Sequence, residues 1–243
     1  MENLIRSPIR WARLSTVLLS ALLSLAAAES VDPIGEVVRV RGALGSFRDG
    51  ESHSIEVTES LPLGITVTLG ATRSFIISSL KTPVFAKTGG ARILNWGSLT
   101  FKGIGEFTIE KAEVPAPESE SKPTTDKILL DLLVPKQGRL WMALDKDVPH
   151  KVSVQTPQLK AISGTTFFRM LVDPAVGTFL ATDEGEVRAD LPTGESFRVT
   201  AGHWLLVPPK GTIQRGANDH LPDSLEDPPL LDCCDFRTGS QIP

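Results

Sequence analysis

After an apolar opening run, hydrophobic positions along the chain alternate with polar ones over short, β-branched stretches, and Gly, Pro or Asp punctuates the gaps. That pattern predicts strands at residues 34–41, 54–58, 65–69, 75–79, 83–87, 92–95, 98–102 and 106–110. Val38 and Val40 oppose Arg39 and Arg41 in the first of them. Strands resume at 127–134, 139–144 and 150–155, then at 166–172, 178–182, 186–190, 197–200 and 203–207. In the segment 139–144, Leu140, Met142 and Leu144 face one way and Trp141 the other. The segment 166–172 is apolar on both faces, with Phe168, Met170 and Val172 against Phe167 and Leu171, so it should be central and covered on both sides. Turns are expected at Asp183-Glu184-Gly185 and Pro192-Thr193-Gly194. No stretch after the opening run has a helical period with caps, so the expected fold is an all-β sandwich or barrel.

Three segments break the alternation. Residues 14–28 are uncharged and rich in Leu and Ala, follow Arg6, Arg10 and Arg13, and end in Ala26-Ala27-Ala28. This is the order of a cleavable signal peptide, shorter than the roughly 20 residues that span a bilayer. The expected mature chain begins at Glu29 and is periplasmic or secreted, with no stable membrane span. Residues 111–126 are dominated by Pro, Ser, Thr and charge, and read as a disordered insertion within one domain, 29–214. Residues 215–243 read as a disordered acidic tail.

Charge sharpens these divisions. The chain carries −4, and the signal segment holds three Arg against Glu2, which leaves −6 for the rest. Most of that lies after residue 216, where Asp219, Asp223, Glu226, Asp227, Asp232 and Asp235 face one Arg. Nothing supplies the basic footprint that nucleic acid or an anionic membrane requires. The two cysteines, Cys233 and Cys234, are adjacent and cannot form a disulfide framework, so a packed core must hold the fold.

The second half then resembles the core of the FecR-type periplasmic sensor domain. The elements that carry the resemblance are Thr156-Pro157, Gly164-Thr165-Thr166-Phe167, Glu184-Gly185-Glu186-Val187 and Ala201-Gly202, in that order. Upstream, Gly35-Glu36-Val37 with Val40-Arg41-Gly42 is similar to the family's opening strand, and 61–72 to a later segment. Ser163 stands where the family carries Arg, and Leu80-Lys81-Thr82-Pro83 replaces an expected Asp-Gly-Ser turn. The resemblance implies a jelly-roll-like β-sandwich and a sensing or scaffold role with a protein partner in the cell envelope. In the family's iron-transport members this domain relays a signal toward a sigma factor through a membrane helix and a cytoplasmic part. Only about thirteen residues precede the apolar run here, so the expectation is a module without its own transmitter.

Candidate chemistry is sparse. His53, His150, His203 and His220 lack metal-type spacing, and no nucleophile motif occurs. Asp183 and Glu184 belong to a turn. No catalytic residue, metal site or cofactor is expected, and the reading is of a non-enzyme. Trp96, Trp141 and Trp204 are the binding candidates, since an exposed indole on a β-sandwich is a platform for sugar rings. A carbohydrate-binding module is therefore the second reading; it requires at least one of these indoles to be exposed. The motif residues Thr156, Pro157, Gly164, Thr165, Phe167, Glu184 and Gly185 are expected to serve the fold.

Overall fold

The computed structural model describes residues 35–47, 50–85, 91–113 and 128–220. The expected signal peptide and most of the insertion and acidic tail lie outside them. In chain order the strands are β1 Gly35–Arg41, β2 Ala43–Ser46, β3 Ser52–Ser54, β4 Ser60–Leu61, β5 Thr66–Leu69, β6 Phe75–Phe85, β7 Ala91–Lys102 and β8 Gly105–Glu113. They continue with β9 Ile128–Leu133, β10 Gly138–Leu144, β11 His150–Gln155, β12 Lys160–Asp173, β13 Gly177–Asp190, β14 Ser196–Thr200, β15 His203–Val207 and β16 Gln214–Ala217. A 3-10 turn, Asn218–His220, follows. The fold is all-β and sandwich-like, as the alternation requires.

The strands form one hydrogen-bonded network folded into two layers. The first runs β3-β2-β5-β8-β9-β11, then the N-terminal half of β12, the C-terminal half of β13, and β14. The second runs β4-β1-β6-β7-β10, then the other halves of β12 and β13, then β15 and β16. The long β12–β13 hairpin thus passes from one layer to the other. Its register shifts between Ser163 and Thr166 and again between Phe167 and Phe168, where extra residues let paired strands bend together. All pairings are antiparallel except β9 with β11. One core fills the space between the layers, with Val67, Phe107, Leu130 and Val154 from the first meeting Ile76, Leu99, Leu140 and Phe168 from the second. It is closely packed: a void beside Ser78, Leu80, Leu99 and Leu130 has a volume of about 10 Å³, too small for an organic ligand.

Three boundaries differ from expectation. Asp183-Glu184-Gly185 is not a hairpin turn but the bulge in mid-β13, with Gly185 at φ 77°, opposite Thr166. The turn residues mark where the strand changes layers, which a linear pattern cannot distinguish from a reversal. Residues 111–113 belong to β8 rather than the insertion. Residues 215–217 lie in β16 rather than the tail: Arg215 pairs with Leu205 and Gly216 with Trp204. A short edge strand whose face is covered by the Trp204 ring needs no apolar side chains of its own, so its polar composition hid it.

Candidate functional site

The family-like residues occupy the joints of the sandwich. Thr156 is buried at the β11–β12 turn, where its hydroxyl donates to the Leu159 carbonyl at 2.9 Å and accepts from the Leu159 amide at 3.1 Å. Thr178, at the start of β13, places its hydroxyl 3.0 Å from that of Thr156 and donates to Gln158 Oε1 at 2.7 Å. Pro157 is exposed at the turn, where no ladder bond is lost. Gly164 and the backbone of Thr165 form the β12 bulge; in β13 Asp183 is the extra residue, next to Glu184 and Gly185, which pair with Phe167 and Thr166. Phe167, half-buried, leaves this bend on the face away from the core.

The three tryptophans do not form a sugar platform. Trp96 is 1%, Trp141 6% and Trp204 7% exposed, so none offers an open ring face, and the carbohydrate-binding reading fails on the residues that suggested it. Trp96 packs in the core with its ring 5.6 Å from that of His150. Its hydrophobic payload outweighs any use at the surface. Among the histidines, His53 bonds Glu59 at 2.6 Å, and His150 Nδ1 lies 2.6 Å from the Val148 carbonyl. Among the described residues no three His, Cys, Asp or Glu side chains gather as a metal site would require.

Trp141 and Trp204 instead share the outer face of the second layer. Register places Arg39, Ile77, Thr100, Trp141, Arg169, Ala181, Trp204 and Gly216 in one row across eight strands, from β1 to β16. A parallel row two residues along holds Arg41, Phe75, Lys102, Arg139, Leu171, Phe179 and Leu206. Phe179, Ala181, Trp204 and Leu206 make a second hydrophobic cluster here, joined by Leu171 and Val176. Ile77 and Trp141 are buried on the same face but belong to neither cluster.

The outer face of the first layer is different. Its registered positions mix polar and apolar residues: Leu44, Thr66, Thr68, Glu106, Thr108, Asp131, Leu133, Ser153, Lys160, Ile162, Arg188 and Arg198, and the Thr66 and Thr108 hydroxyls meet at 2.8 Å. Alternation of apolar and polar residues gives one solvated face per sheet. The second layer departs further from that rule, with Ile77, Trp141, Phe179, Trp204 and Leu206 on its outer face.

Two polar atoms on this apolar face lack acceptors. Trp141 Nε1 and Arg169 Nε are buried without hydrogen-bond partners, and the two residues are direct cross-strand neighbours. Arg169 reaches Asp183 only through Nη2, at 3.5 Å. Leaving a buried donor unpaired costs on the order of 1–3 kcal/mol, so an acceptor brought to this spot would be strongly favoured. Around it stand Arg39, Arg41, Lys102 and Arg139; the carboxylates sharing the face are Asp173 and Asp183, with Glu184 at the rim and Glu36 held by Lys81 at 2.8 Å. The surface is thus apolar, net cationic and equipped with converging N–H donors. Sequence reading found Trp141 and Trp204 but not Ile77, Thr100 or Arg169. The available signal was the two-sided apolar character of 166–172.

No family model matches the chain, and no curated protein matches it. Two solved chains are similar in fold, both crystal structures of a "putative anti-sigma factor" from Parabacteroides distasonis. They superpose with TM-scores of 0.39 and 0.35 at 12% and 13% identity, over 63% of this chain. The overlap spans 59% of the neighbours' own length.

Proposed function

We propose that this protein is a non-enzymatic sensing or binding module of the cell envelope, of the FecR type its second half resembles, and that it works by protein–protein contact through the outer face of the second layer. The observation that carries this reading is the pair Trp141 and Arg169 on that face, cross-strand neighbours whose Nε1 and Nε are buried without hydrogen-bond partners, with Arg39, Arg41 and Lys102 in the same two rows. The family-like residues Thr156, Gly164 and Gly185 serve the bends of the sandwich, as the resemblance implies. The signal-like residues 1–28 support export.

The test is a matched pair of variants in the exported protein. Leu171→Asp places a charge on the proposed face, and Thr68→Asp places one on the outer face of the first layer. Native-size analysis of envelope extracts should show the native assembly lost for Leu171→Asp and kept for Thr68→Asp. Equal behaviour of the two would refute the assignment of the face.

A further inference from the structure

We infer that the outer face of the second layer takes an acidic segment of a second envelope protein, with a carboxylate of that segment gripped by Arg169 Nε and Nη2 and with Trp141 Nε1 donating beside it. The inference rests on the reading of that face as a docking surface and names the chemistry of the partner.

The guanidinium of Arg169 calls for a carboxylate. Nε and Nη2 lie along one edge of the planar group, the edge that holds a carboxylate by two parallel N–H bonds. Here that edge is half used. Nη2 reaches Asp183 Oδ1 at 3.5 Å, the outer limit of a hydrogen bond, and Nε is buried without a partner. Asp183 is not placed to complete the grip: it is the extra residue of the β13 bulge, and the same Oδ1 accepts from Asn218 Nδ2 at 3.1 Å. Trp141, the direct cross-strand neighbour, brings a second buried donor without a partner, Nε1. A buried donor left unpaired is costly, and a bond to an ionised acceptor is the strongest way to satisfy it. The Arg169 side chain is 23% exposed while the two nitrogens are covered, so docking must swing that side chain outward to bare them.

The neighbours supply matching charge. The row that holds Arg169 and Trp141 ends at Arg39, with Thr100 and Ile77 between, and Arg41 and Lys102 stand in the next row. Arg39 and Arg41 are exposed, and among the described residues neither they nor Lys102 forms an ion pair. Carboxylates on the same face are engaged within the fold: Glu36 holds Lys81 at 2.8 Å, and Asp173 accepts from the Ala175 and Val176 amides at 2.8 and 3.0 Å. From Arg169 to Arg39 is four strand spacings, about 19 Å, which about six extended residues span. A partner segment with carboxylates toward its two ends and apolar side chains between them matches that row. Ile77 and Trp141 are each 6% exposed, so they add little apolar area, and recognition falls on the N–H donors and the cations.

The experiment places a photocrosslinker at Thr100 in the full exported chain in its native envelope. The adduct should map to a segment of another protein in which Asp or Glu stands beside apolar residues. A labelled synthetic peptide of that segment, titrated with the purified chain, should lose at least tenfold in affinity when its Asp and Glu are changed to amides. Arg169→Lys keeps the charge but not the two-pronged edge. It should weaken the native peptide by a similar factor and the amide peptide little, with far-UV circular dichroism checking the fold; if the variant does not fold, the exchange on the peptide side still decides. Equal affinity of the native and amide peptides overturns the inference. So does an adduct in a segment without carboxylates, or in this chain itself, its own or a second copy; each of these leaves the docking face standing. Absence of adducts from Thr100 removes both.

Discussion

Trp204 and Gly216 are register partners across β15 and β16, and the indole fills the space a side chain at 216 would need: a Cβ there would sit 2.8 Å from Cζ2. The indole Nε1 donates to the Ala217 carbonyl at 2.8 Å, so the ring clamps the last strand from the face side. Gly216→Ala must displace either the ring or the edge strand. Overpacking of this kind costs about 1–3 kcal/mol. Urea unfolding should report that loss, with a red shift in tryptophan emission as Trp204 is pushed toward solvent. Native-like emission and stability would show that the edge strand yields freely.

Gly185 carries the same logic at the bend of β13. Its φ of 77° lies where an L side chain is strained by about 1–2 kcal/mol. Gly185→Ala should lower the melting temperature, and Gly185→Asn should lower it less, because Asn tolerates that conformation better. If both variants melt like the native protein, the bend does not depend on this residue.

The buried hydroxyl pair at the other joint makes a separate prediction. Thr156→Val keeps the shape but strips the partner from the Leu159 amide and the neighbour from Thr178. The expected loss is about 1–3 kcal/mol, and Thr156→Ser, which keeps the hydroxyl, should retain most of the native stability. Chemical denaturation of the three proteins side by side checks the order.

Acid should weaken the β13–β14 hairpin in a defined direction. The Ser196 hydroxyl donates to Asp190 at 2.7 Å and, with Arg188 and Lys160 nearby, holds that carboxyl below its ordinary value. A carboxylate with a depressed folded pKa adds stability above its unfolded value, near pH 4, and that contribution is lost as pH falls through the folded value. Asp190→Asn should therefore lose less stability than the native protein on acidification from neutral pH to about pH 3. The partly exposed site makes the effect small, and a larger pH response in the variant would contradict the assignment.

Much of this architecture is legible in the sequence because a half-buried strand announces itself by period two. Leu140, Met142 and Trp141 were correctly placed on opposite faces, and Phe168 and Met170 were rightly read as core. The pattern failed where strands are long and bent. Residues 75–79 and 83–87 read as two strands, yet β6 runs through Pro83 with a register shift at Leu80–Lys81, because a bulge absorbs the irregularity. Gly185 looked like a turn for the same reason. The site was only half legible: Trp141 is conspicuous, but its relation to Arg169 depends on a pairing between residues 28 apart in the chain, which no local period encodes.

The central claim is that the second layer's outer face is a docking surface and the first layer's is not. Photocrosslinking in the native envelope tests it directly, with the probe placed in turn at Thr100, between Ile77 and Trp141, and at Thr68 on the opposite side of the molecule. The account predicts discrete adducts from Thr100, mapping to one partner, and only background from Thr68. Equal yields from the two positions, or discrete adducts from Thr68 alone, would contradict it.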